Sequence, residues 1–258
     1  MRALGISLLV GLATYLSTSL SAAAPRRPRF EPTDLELEEP GEAELDLQLG
    51  PAFGESDGGT RLMLPDFELD LGLLPNLEID IDGAFSLDRV DQAHGRSLGG
   101  DALWTSLKLG LYDRHQPGRA FAVGLQLGPR LPVIPGTRGI GYGALALVGF
   151  VRGPLHLAFN AGGVVDPGDQ AFGKRPVSVV LGASVDIDLD EWDVFSLLVQ
   201  VGSAIYTSPD PHELSLGAGL SWNVTRKLEV SLLGVAGMFA HTDRATLLLG
   251  FSPKVSLF

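Results

Sequence analysis

The residues of this chain best placed to do chemistry are carboxylates set two apart. Glu42, Glu44 and Asp46, then Asp66, Glu68 and Asp70, then Glu78, Asp80 and Asp82 occupy alternate positions, and Asp186 and Asp188 repeat the spacing later. Side chains two apart on an extended chain share one face. An enclosed face of that kind repels anions and concentrates cations. The competing use is a structural lattice, with Lys108, Arg119, Arg152, Lys227 and Lys254 as candidate basic partners in the same half of the fold. A pairing of Lys254 with Glu42 or Glu44 is the most specific case. No metal site is expected, because the EF-hand pattern is missing and in-strand spacing spreads ligands apart.

Enzymatic constellations are weak. Of His94, His115, His156, His212 and His241, all but His156 fall in predicted loops or turns. None sits two residues from a serine on a shared face, and neither HExxH nor GxSxG occurs. The run Gly139-Ile140-Gly141-Tyr142-Gly143 precedes an apolar strand rather than a helix, so it is not a phosphate loop. Neither a catalytic residue nor a cofactor is expected.

The elements that carry the carboxylates are strands. Ala43, Leu45, Leu47 and Leu49 alternate with the first acids, Phe67, Leu69, Leu71 and Leu73 with the second, and Leu77, Ile79, Ile81 and Phe85 with the third. Further strands are predicted at 103–111, 121–127, 139–152, 155–165, 176–189, 193–206, 214–222, 227–240 and 245–258. The strand at 139–152 is apolar on both faces and has no readable orientation. The total is about twelve strands of roughly ten residues, although ten to fourteen fit with other groupings, and this is the length of a tilted membrane strand. An even number puts both chain ends on one side. Connections on the opposite, outer side (54–60, 89–100, 132–138, 166–175, 207–212 and 241–244) are longer than most on the periplasmic side (74–75, 153–154, 190–192 and 225–226). The periplasmic turn 113–118 is longer than ideal. Trp104, Tyr142, Trp192, Tyr206 and Trp222 fall near strand ends, where aromatic girdles belong.

Composition points the same way. Hydrophobic residues are 45% of the chain and charged residues only 19%, yet no mature segment has the about 20 uninterrupted apolar residues of a spanning helix. A net charge of −12 argues against nucleic acid. After the third strand the polar face is largely small: Gly110, Gly124, Gly128, Gly182, Gly202, Gly217, Gly219 and Gly250. Glycine exposed to water weakens a strand, whereas inside a narrow barrel it makes room for long side chains from the facing wall. The other face is rich in Leu and Val and nearly free of charge, as lipid demands.

Residues 1–23 read as a cleaved signal peptide: Arg2, an apolar run from Ala3 to Leu16, and small residues ending at Ala23. Residues 24–40 read as a periplasmic leader or linker, and 41–258 as the barrel. The lack of cysteine excludes a lipoprotein anchor.

The opening run Leu35-Glu36-Leu37-Glu38-Glu39-Pro40-Gly41-Glu42-Ala43-Glu44-Leu45-Asp46-Leu47 resembles the Pro-Gly and first strand of a broad family of outer-membrane transporters. That family is named for the meta-pathway of phenol degradation. The strand after Gly118-Arg119-Ala120-Phe121-Ala122-Val123-Gly124, ending in Leu131-Pro132, is also similar. The resemblance implies a barrel for uptake or efflux of small, often hydrophobic molecules and supplies no binding residues. One departure is the C-terminus: by parity Phe258 pairs with Ser256 and Lys254 rather than with Val255 and Leu257, unless Pro253 marks a bulge.

The expectation is an all-β, single transmembrane antiparallel up-and-down barrel in the outer membrane of a Gram-negative-type bacterium. It would act as a passive channel for an unidentified small solute, with an acidic periplasmic half favouring cations. Its partners would be membrane lipid and, during biogenesis, the barrel-assembly machinery. The rivals are a structural or surface-interaction barrel with a plugged lumen, and a soluble exported β-sandwich holding an apolar ligand.

Overall fold

The computed structural model describes residues 37–53, 60–89, 96–100, 102–133, 137–169, 177–190, 194–207, 212–238 and 244–257. The expected signal peptide, most of the leader, His94, Trp192, His241 and Phe258 lie outside the described residues, as do parts of each expected outer connection.

Twelve strands make the wall: β1 (Glu42–Phe53), β2 (Thr60–Leu74), β3 (Leu77–Arg89), β4 (Leu103–Gln116), β5 (Arg119–Leu131), β6 (Gly141–Arg152), β7 (Leu155–Val165), β8 (Val177–Asp188), β9 (Phe195–Tyr206), β10 (Glu213–Thr225), β11 (Leu228–Gly237) and β12 (Ala245–Ser256). Each pairs antiparallel with the next. β12 returns to β1 through Ala43–Val255, Leu49–Leu249 and Phe53–Ala245, which closes the sheet. The register passes Pro253 without a shift, so no bulge forms there. Three short pieces lie outside the ring: Arg96–Gly100 extends the β3 hairpin, and Thr137–Arg138 pairs with Gly168–Asp169.

Both ends of the wall lie beside the short turns at 75–76, 117–118, 153–154 and 226–227. The fourth strand is longer than its alternation suggests. It runs on to Gln116 through a register shift between Gly110 and Tyr112, which leaves a tight turn at 117–118. The shift hides these residues from a simple period-two reading.

The burial pattern is inverted relative to a water-soluble protein. On β8, Ser178, Ser184 and Asp186 point inward and are buried, while Val179 and Leu181 point outward and are exposed. The same division runs around the ring: Leu107, Leu125, Leu127, Val199, Leu216, Leu220, Leu232, Leu247 and Leu249 are all exposed. A soluble monomer does not expose a continuous belt of this size. Hydrocarbon accepts it, provided every backbone polar group is paired, and closure of the ring meets that condition. Strands of 10 to 15 residues are long enough to cross when tilted. Tyr142 and Trp222 are exposed near strand ends, as a girdle requires. Trp104 instead is buried inside, and Tyr206 has the inward register of Ser178.

Candidate functional site

The interior face of β12, β1, β2, β3 and β4 carries the acids in rows set by register. One row runs Lys254, Glu44, Asp70, Asp80, Ser106. A second runs Asp46, Glu68, Asp82, and a third runs Glu78, Lys108, Gln126. All of Glu42, Glu44, Asp46, Asp66, Glu68, Asp70, Glu78, Asp80 and Asp82 therefore stand on one wall. Asp46, Asp70, Glu78 and Asp80 are buried, and the others are partly exposed.

Burying charge is costly unless each ion is paired and hydrogen-bonded. Several of the wall's ions are held in this way. Lys108 Nζ sits 3.1 Å from Glu78 Oε1, with both side chains wholly buried. Gln126 Nε2 donates to Asp80 Oδ2 at 2.7 Å and lies 3.0 Å from Ser106 Oγ. Ser252 Oγ donates to Asp46 Oδ1. Lys254 Nζ bridges Glu44 Oε2 at 3.3 Å and Glu38 Oε2 at 2.8 Å. Carboxylate oxygens of Asp46, Glu68 and Asp70, and of Asp70, Glu78 and Asp80, converge to within 4.8 Å of one another.

Glu38 was not among the residues singled out from the sequence. It precedes the first strand, in the stretch read as leader, yet it is 2% exposed and its backbone N–H donates to Glu78 Oε2. The segment 37–41 lies across the short-turn end of this wall. Gly41 N donates to Gly72 O at 2.9 Å, and Leu257 N to Gly41 O at 2.7 Å. Gly72 permits the approach, because a Cβ there would stand 2.2 Å from Glu39 O.

The remaining sequence-derived candidates sit elsewhere. Asp186 and Asp188 face inward on β8, across the ring from β2, and do not join the cluster. Asp188 Oδ2 lies 3.2 Å from His156 Nε2, and its Oδ1 accepts from Ser196 Oγ at 3.0 Å. Of the expected basic partners, Lys108 and Lys254 pair with acids of this wall. Lys227 lies at the turn before β11 and donates to Ser256 Oγ at 3.1 Å. Arg119 and Arg152 are not lumen residues. They oppose each other across β5 and β6 on the register of Phe121 and Phe150, and are exposed on the outer face. On β5 alternation alone sets Arg119 with Phe121 and Leu125, and β6 offers no orientation from its sequence, because both of its faces are apolar.

The opposite interior wall differs in kind. Ser184, Ser196, Gln200, Ser221 and Ser231 are buried there, and among the described residues Asp186 and Glu229 are its buried acids. Towards the outer end, side chains inside the ring are apolar: Trp104, Leu145, Leu147, Val164 and Val180 form one cluster, and Leu198, Leu233, Val235 and Leu248 another, with Met63 packed against it. Gly143 admits the indole, since a Cβ there would lie 3.0 Å from it. The Trp104 indole N–H donates to Gly128 O at 3.1 Å, and the Arg130 guanidinium stands 5.9 Å from the ring. The sequence signal for the first cluster was the double-faced apolarity of 139–152, which holds Leu145 and Leu147.

No protein-family model and no curated protein sequence matches the chain. Solved structures do resemble it in fold. An outer membrane channel from Pseudomonas putida F1 superposes with a TM-score of 0.61 at 13% identity, covering 88% of this chain and 100% of that one. The NanC porin superposes with a TM-score of 0.56 at 8% identity, covering 83% and 100%.

Proposed function

We propose that the chain is a passive outer-membrane channel for small solutes, with the acidic wall biasing passage towards cations. The observation that carries the reading is the inverted barrel: charged and polar side chains enclosed by a wall whose outer surface is apolar. The fold likeness to outer membrane channels supports it. The transporter family suggested by the opening strand, removal of 1–23 as a signal peptide, and delivery by the barrel-assembly machinery belong to the same reading. The deeply buried acids are the lattice that holds the wall. Glu68 and Asp82, facing each other across β2 and β3, are among the partly exposed acids that a passing ion would meet.

A second reading has its own observation. Glu38 fastens the segment 37–41 over the acidic wall, so the barrel could be plugged at that end. Planar-bilayer recording of the refolded protein under a salt gradient separates the two. Conductance steps with a cation-selective reversal potential are expected. Stable insertion with no steps would favour the plugged barrel, and a protein that stays soluble would overturn the membrane assignment.

A further inference from the structure

On the outer surface, at the short-turn end of β4 to β7, an open groove of about 700 Å³ is lined by arginine and phenylalanine. Its floor is Phe121, Phe150 and Phe159, part of an aromatic ladder that Tyr112 carries on to a fourth strand. Tyr112 and Phe121 are 6.0 Å apart between ring centroids, Phe121 and Phe150 4.8 Å, and Phe150 and Phe159 6.4 Å. Above it stand Arg114, Arg119 and Arg152, all exposed. Arg119 and Arg152 are direct cross-strand partners, and Arg114 is the partner of Phe121. Like charges placed directly opposite destabilise a strand pair unless an anion lies between them. No acidic residue lines this groove. The nearest in sequence, Asp113, faces inward opposite Ala122 and binds His115 at 2.7 Å.

We infer that this groove is a binding site for an anionic glycerophospholipid of the leaflet at the short-turn end. Its phosphate would be held by Arg114, Arg119 and Arg152, and an acyl chain would lie along Phe121, Phe150 and Phe159. Guanidinium groups suit this task because they present a planar fork of donors to phosphate oxygens. Three cations without a counter-charge favour a headgroup with no compensating amine, and favour two phosphates over one. The apolar floor, continuous with the lipid-facing belt, sets a lipid apart from free phosphate as the occupant. The inference rests on the outer face meeting lipid, but not on the barrel conducting.

The test uses the refolded mature barrel in non-ionic detergent, delipidated and titrated with phosphatidylglycerol, cardiolipin or phosphatidylcholine, with bound lipid read by native mass spectrometry. Cardiolipin and phosphatidylglycerol should bind in that order, at least tenfold more tightly than phosphatidylcholine. The triple variant R114Q/R119Q/R152Q should lose that preference, and R114K/R119K/R152K should recover part of it. R226Q/K227Q removes cations from the same rim on the far wall and should bind as the parent does. Equal losses in the two Gln variants would reduce the effect to diffuse rim charge and overturn the site. So would unchanged binding in the triple variant, or displacement of the lipid by millimolar inorganic phosphate. Heat-modifiable gel mobility checks that each variant is folded. Channel recordings on the same samples report separately on the conduction reading.

Discussion

The two interior walls of the barrel obey the same backbone rule and do opposite things with it. From β12 to β4 the inward positions carry Glu44, Asp46, Asp70, Glu78, Asp80, Lys108 and Lys254, with ion pairs at Lys108–Glu78 and Lys254–Glu44. From β8 to β11 they are mainly uncharged and partly apolar, with Ser184, Ser196, Gln200, Ser231, Leu198 and Leu233, and the acids there are the scattered Asp186, Asp188 and Glu229. Outside, both walls show the same apolar belt. The exterior is set by the solvent and admits one answer, whereas the interior is set by what faces it. The ionic wall holds its shape by pairing charges and the neutral wall by filling space, so the two should fail by different mechanisms.

The largest effect is expected on the ionic wall. In Lys108→Met, Glu78 loses its ammonium in a fully buried setting, which should cost about 3–5 kcal/mol in denaturant unfolding of the refolded barrel. Adding Glu78→Gln should restore most of the loss, because the uncompensated charge is gone. If the single variant costs no more than Ser231→Ala on the neutral wall, the contrast between the walls collapses.

The apolar cluster comes next. Leu147 is wholly buried between Trp104 and its neighbours, so Leu147→Ala should cost about 2–4 kcal/mol through the cavity it leaves. A second companion substitution should not rescue it, since no charge has been stranded. The same change should enlarge single-channel conductance if the cluster narrows the path. A change in stability with no change in conductance would assign it to packing alone.

The belt shared by both walls sets the third test. Leu181 is exposed at mid-strand on β8, between Ala161 and Ser203. Leu181→Arg should destabilise the barrel in vesicles by about 2–4 kcal/mol, the penalty for a cation near the bilayer centre. In a soluble sheet the same exposed position would tolerate Arg, so a neutral result would contradict the lipid-facing assignment.

Much of this division was legible in the sequence. The clean alternation of Leu45, Leu47 and Leu49 with acids on β1, and of Leu69 and Leu71 with acids on β2, fixes which side chains share a face. Asp80 and Asp82 share one face of β3 by the same alternation. What alternation cannot carry is the identity of the neighbour across the lumen. Leu145 and Leu147 pack against Trp104, Val164 and Val180, contacts between residues far apart in the chain that only closure of the ring creates. Arg119 was drawn into the lumen against the parity of its own strand, which sets it with Phe121 and Leu125, and Arg152 because β6, apolar on both faces, has no orientation readable from sequence. Glu38 was read as leader because nothing local marks it. Its partners Lys254 and Glu78 come from the far end of the chain and from the third strand.

The smallest effect is the one closest to function. Glu68 and Asp82 are direct partners across β2 and β3, and both are only partly buried. Glu68→Gln with Asp82→Asn should change unfolding stability by less than about 1 kcal/mol, because partly solvated charges contribute little. Removing them should still lower the cation-to-anion permeability ratio, by about twofold at low salt and less at high salt, where screening shortens their reach. The measurement is the reversal potential under a salt gradient at two ionic strengths. An unchanged ratio with the barrel still conducting would mean that ions pass along the neutral wall, leaving the acidic wall a scaffold and nothing more.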